Sequence, residues 1–176
     1  MATSKTKSVI GEINKTVKKN KKNEINTSIE INGDELINCV SITYGELIWV
    51  SPKTNLLYRW YEFGDEKQLP YSEIEYMFSV NRDFVNKPYF IFEDERVVEK
   101  LRLVETYSKV AELSKIDSIN HNDVDAINRI LDKAISYNMQ EVLLAKLKDM
   151  RQNGNLTNIN ILNAIENKLG VDLSRS

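Results

Sequence analysis

One cysteine and one histidine are the scarcest parts of this 176-residue chain, followed by three prolines and six glycines. A lone Cys excludes an internal disulfide framework, and one Cys with one His cannot assemble a Cys/His zinc site. The glycines form no G-x-G-x-x-G and no P-loop, so nucleotide binding has no support. No apolar run approaches the roughly 20 residues that span a bilayer, and no membrane partner is expected. The basic N-terminus lacks the apolar stretch of a secretory signal, so none is predicted there. What is present suffices for a core: 41% of residues are hydrophobic and 28% charged, close to a globular average. The length fits one ordinary domain or two small ones, in a reducing compartment or an assembly.

The net charge of −2 hides a division along the chain. Residues 1–25 hold seven Lys and two Glu, a local +5, which leaves −7 for the rest. This basic arm includes Lys15, Lys18, Lys19, Lys21 and Lys22, with few large apolar residues beyond Val9, Ile10, Ile13, Val17 and Ile25. Such a segment buries too little surface to offset its ordering entropy and is expected to order only on a partner. An acidic protein surface or nucleic acid would serve.

Thirteen of the fifteen aromatics, and all the prolines, lie between Tyr44 and Phe92; Leu, Ile and Ala then take over. Aromatic and β-branched residues favour pleated surfaces, Leu and Ala favour helices. The chain therefore divides into the arm (1–25), a small β module with a short helix (26–93) and a helical module (94–176). Alternation predicts strands over 36–43, 47–51 and 56–63, with a turn at Gly45, a second at Pro52 and a third at Gly64. In the second strand Leu47 and Trp49 lie opposite Ile48 and Val50. Bulky residues on both faces of the third make it the expected central strand. Strands so spaced suggest a small antiparallel β-barrel or curled sheet, SH3-like, within an α+β fold. Ser72 to Glu75 has capping-box spacing and predicts a short helix, before a last strand over 88–92.

Asp94 is expected to cap one helix carrying Val97, Val98, Leu101, Val104, Tyr107 and Ala111 as a stripe. Asn122 and Thr157 are expected to cap later helices, and Gln140 to Gln152 forms a further one that stops near Gly154. Gly170 follows the last.

Chemistry finds few parts. His121 lies in a polar connector with no nucleophile-elbow motif around any serine, so it reads as a loop histidine. Cys39, inside an apolar strand, reads as a small hydrophobe. The acidic clusters Asp65-Glu66 and Glu93-Asp94-Glu95 lack EF-hand spacing and suit a turn and a helix start. No catalytic, cofactor or metal residue is assigned, and no enzyme is expected. The aromatics Tyr44, Trp49, Trp60 and Tyr61 are instead expected to anchor a protein partner. Between residues 36 and 92 acidic side chains outnumber basic ones, which argues against a phosphate groove on the β module.

The order Val40-Ser41-Ile42-Thr43, Tyr44-Gly45-Glu46-Leu47-Ile48-Trp49, Ser51-Pro52-Lys53-Thr54 and Tyr58-Arg59-Trp60 continues through Gly64 to Pro70. Tyr89-Phe90-Ile91-Phe92 then runs into Asp94 and a helix. Over residues 36–104 this rhythm resembles the small structural proteins of tailed-bacteriophage particles, from head, neck or tail. The resemblance implies a non-enzymatic virion component, made in the bacterial host cytoplasm, that binds neighbouring virion subunits in a multi-copy assembly. It implies no particular site residues. The alternative from the residues is a nucleic-acid-associated regulator working through the Lys-rich arm.

Overall fold

The computed structural model describes residues 30–81, 83, 87–118 and 123–173. The arm, Asn122 and His121 lie outside them. The fold is α+β. Strands β1 (Leu36–Ser41), β2 (Leu47–Val50), β3 (Leu57–Trp60) and β4 (Glu66–Pro70) lead into helix α1 (Tyr71–Val80) and strand β5 (Phe90–Phe92). Helices α2 (Glu95–Lys100), α3 (Val104–Leu113), α4 (Val124–Ser136), α5 (Gln140–Gln152) and α6 (Ile159–Leu169) follow, with a 3-10 turn at Ser114–Ser118.

The strands do not close into a barrel. β1 is the centre of a three-stranded antiparallel sheet, β4-β1-β5, with Leu36 opposite Pro70 and Cys39 opposite Phe92. Both edges of β1 are thereby taken. Among the described residues β2 and β3 pair only with each other, Leu47 opposite Trp60 and Val50 opposite Leu57, as a separate ribbon. The third strand is thus not central, contrary to the pattern of its side chains. Strand β4 had no apolar signal: in Glu-Lys-Gln-Leu-Pro only Leu69 is buried. The turn between β1 and β2 is as expected, with Gly45 at φ +85°, where a Cβ would be strained.

Helix ends show where local chemistry outweighed pattern. The single helix expected after Asp94 is two. Arg102 adopts φ +59°, its N–H bonds to Glu99 O, and Leu103 N–H bonds to Val98 O, the Schellman arrangement that ends α2. Asn138 and Gly154 end α4 and α5 by the same pair of bonds. Asp94 does cap α2, accepting from Arg96 N at 2.9 Å. Asp123, rather than Asn122, caps α4, and Asn158, rather than Thr157, caps α6. No side chain caps α1, whose first turn already contains Ser72. Its Glu73 is engaged elsewhere.

One continuous apolar core crosses the junction at residues 93–94. Trp60 stacks on Phe90 at 5.5 Å between ring centres, and Phe78 and Phe92 close around them. The hydroxyl of buried Tyr107 on α3 accepts from Phe92 N at 2.8 Å, tying the helices to the sheet. Lys146 on α5 is also buried; its Nζ meets Asp117 at 3.0 Å and lies 5.4 Å from the Phe63 ring. The β and helical modules thus share their interior.

Three carboxylates held low, Glu105 by Lys109 together with Glu112 and Asp94, carry a pH dependence, while burial raises Asp149 and acts in the opposite sense. Hydrogen bonds from Lys133 and from Tyr137 Oη (2.6 Å) hold Glu112 below the usual carboxylate range. Burial raises Asp94, but the bonds from Arg96 outweigh it and leave this group low as well. Groups depressed in the folded state stabilise it above their unfolded values, and that stabilisation disappears as pH falls through the folded values. Urea midpoints taken between neutral pH and the acid limb should therefore fall on acidification. In Glu112→Gln the fall should be shallower, and an identical acid limb would contradict the assignment.

Candidate subunit interface

The β2–β3 ribbon is aimed by a buried carboxylate. Glu73, in the first turn of α1, accepts from Trp49 Nε1 at 2.7 Å and from Ser51 Oγ at 2.9 Å. A buried carboxylate needs such donors to offset its lost hydration. The two bonds fix Trp49 inward and turn Ile48 and Val50 outward. At the other end Trp60 Nε1 donates to Cys39 O at 3.0 Å. Lys53, in the hairpin turn, lies 4.2 Å from the centre of the Tyr76 ring on α1.

Alternation then sets the outward face as Glu46, Ile48 and Val50 beside Leu57, Arg59 and Tyr61. Ile48 is 44% exposed, Val50 49%, Leu57 54% and Tyr61 62%, with Leu56 at the hairpin turn also open. Arg59 sits in the middle, opposite Ile48, and its Nη1 meets Glu46 Oε1 at 3.3 Å. Its Nε is buried without a hydrogen-bond partner among the described residues. Apolar side chains gathered around an arginine and a tyrosine have the composition of interface centres. The edge of the ribbon is open too. Ser51 N donates to Leu56 O, so alternation points the peptide groups of Ile48 and Val50 away from β3. Among the described residues no other strand pairs with that edge. Strand β2 (Leu-Ile-Trp-Val) carries none of the charges or prolines that usually protect a free edge.

The four aromatics expected to anchor a partner are dispersed. Trp60 is fully buried and is a core residue, since its indole is what the ribbon folds onto. Trp49 is half-buried and held by Glu73. Tyr44 is occupied within the chain: its hydroxyl accepts from Gln152 Nε2 at 2.9 Å and Lys148 Nζ lies 4.3 Å from its ring centre. Tyr61 alone of the four stands open. The lysines 15, 18, 19, 21 and 22 fall outside the described residues. Sequence reasoning missed Ile48, Val50, Leu56 and Leu57 as surface residues. Alternation separated the two faces of β2 correctly, but hydrophobicity does not say which of two apolar faces turns inward. The partner of Trp49, a glutamate one helix away, decides it.

Chemistry-bearing groups are spread apart. Cys39 is fully buried, and burial pushes its thiol up, away from the reactive thiolate. Asp65 accepts from Tyr61 N at 2.8 Å and closes a turn. Glu93 accepts from Asn38 Nδ2 at 3.0 Å. Among the described residues no three His, Cys, Asp or Glu side chains gather as metal ligands. A pocket of about 320 Å³ lies between the Tyr44 turn and α5, with Ile42, Pro88 and Met139 among its apolar walls and Lys87, Glu141 and Lys148 among its polar ones. No described helix is long and apolar enough to cross a membrane. No family model, curated protein or solved structure matches the chain.

Proposed function

We propose that this protein is a non-enzymatic assembly component, a structural subunit of a tailed-phage particle, and that the outward face of the β2–β3 ribbon is where it binds its neighbours. The observation that carries the reading is the exposed Ile48, Val50 and Leu57 on a ribbon whose outer edge no other described strand pairs with. Large apolar side chains clustered in the open are unusual on a monomer and mark interaction surfaces. The ribbon is held from behind by Glu73 and Trp60, so its face is organised before a partner arrives and little ordering remains to oppose binding.

In this reading the two small sheets act as the two halves of an SH3-like curled module, and the basic arm reaches over an acidic neighbour. Quantitative mass spectrometry of virions purified from an infected culture should find the chain in stoichiometric copy number. Recovery only in the soluble lysate would contradict the reading. Salt dependence of binding distinguishes the alternative, a nucleic-acid-associated regulator: an arm bound to nucleic acid through phosphate should release steeply as salt rises, an apolar ribbon contact should not.

A further inference from the structure

We infer that the neighbour of the ribbon is a second copy of this chain, and that two ribbons pack face to face about a twofold axis. The inference rests on the interface reading above and names its partner. The outward face is balanced in charge, with Arg59 and Glu46 as its two ionised groups, 3.3 Å apart and each more than a third exposed. A strongly basic or acidic partner finds no net charge there to match. A copy of the same face, turned about a twofold axis, sets the Glu46 of each chain beside the Arg59 of the other.

In an isologous contact each residue meets its complement twice. An axis running along the ribbon between β2 and β3 lays β2 of one copy over β3 of the other. Val50 then covers the second copy's Leu57, its own cross-strand neighbour in the free chain. Arg59 faces the second copy's Ile48 and comes within reach of its Glu46. Tyr61 borders the contact and excludes water from it.

Charge exchange tests this directly, because it separates bonds between copies from the bond within one. Sedimentation velocity of the full chain at roughly 1–100 μM covers the range of micromolar association. The unmodified chain should sediment as a dimer. Glu46→Arg and Arg59→Glu should each dissociate at least tenfold more readily, since each places like charges across the axis. Mixing the two variants should restore the dimer, because the two arginines on the face of the Glu46→Arg chain then meet the two glutamates on the face of the Arg59→Glu chain. A salt bridge made only within each chain cannot give that restoration.

A monomeric unmodified chain would overturn the inference, as would a dimer indifferent to either exchange or single variants that fail to recombine. If an exchange lowers the melting temperature, Val50→Asp and Leu57→Asp replace it: loss of the dimer sustains the inference and retention overturns it. Incorporation into particles keeps the two readings apart. An unmodified chain that is monomeric, while Ile48→Asp is still excluded from particles, would refute pairing of copies and leave the interface standing. A dimeric chain whose monomeric variants incorporate normally would refute the interface reading instead.

Discussion

Trp60→Ala is expected to lower folding stability by about 4 kcal/mol, as removal of a fully buried indole does elsewhere. For a chain of this size that corresponds to a melting temperature roughly 8–16 °C lower. The loss has three sources: the apolar surface of the indole, its stack on Phe90, and the bond from Nε1 to Cys39 O. The adjacent Tyr61→Ala should change stability by no more than about 0.5 kcal/mol, the usual scale for exposed positions. The pair of measurements separates a structural aromatic from a surface one at consecutive positions. Equal losses would mean that Tyr61 is part of the core.

The second large effect belongs to Glu73. Glu73→Ala leaves Trp49 Nε1 and Ser51 Oγ without their acceptor and opens a void beneath the ribbon. The expected cost is about 3 kcal/mol, given 1–3 kcal/mol for each buried group left unpaired and partial rescue of half-buried Trp49 by water. Glu73→Gln retains one acceptor oxygen but presents an amide N–H to the other donor, so roughly half the loss should remain. The location of the damage is more telling than its size. Amide exchange should accelerate over residues 47–60 in the Ala variant while α4 to α6 keep their protection, because the ribbon is tethered by Glu73 and the helices are not. Uniform acceleration would show that Glu73 supports the whole fold instead of aiming the ribbon.

The parts of the molecule legible in its sequence are those governed by nearest neighbours. Asp94 at a helix start, Gly45 in a turn, and Gln140–Gln152 as a helix ending at Gly154 all follow from short-range rules. The same rules fail where a residue does a glycine's work. Arg102 holds left-handed backbone that ends a helix with nothing in its side chain to announce it, whereas Asn138 is of the type that tolerates that conformation. Strand partners were the other loss. Pairing of β1 with β4 and β5 is decided by contacts up to some fifty residues apart, so alternation found strands but not the open arrangement of two sheets. For the same reason a buried ring and an open one look alike in the sequence. Large rings are equally suited to a core and to an interface, and only tertiary neighbours separate Trp60 from Tyr61.

The candidate interface is therefore a product of two long-range events, the capture of Trp49 by Glu73 and of Trp60 by Phe90. Together they leave a small apolar face outward on a rigid support. A chain that uses this face for assembly has a simple requirement: the face must be needed in the particle and dispensable for the fold. The double variant Ile48→Asp/Leu57→Asp, competed against unmodified chain during particle formation, measures both. It should melt no more than about 2–4 °C below the unmodified protein, two exposed positions costing up to about 0.5 kcal/mol each, and be excluded from purified particles by at least tenfold. Incorporation of the folded double variant at parity would contradict the account.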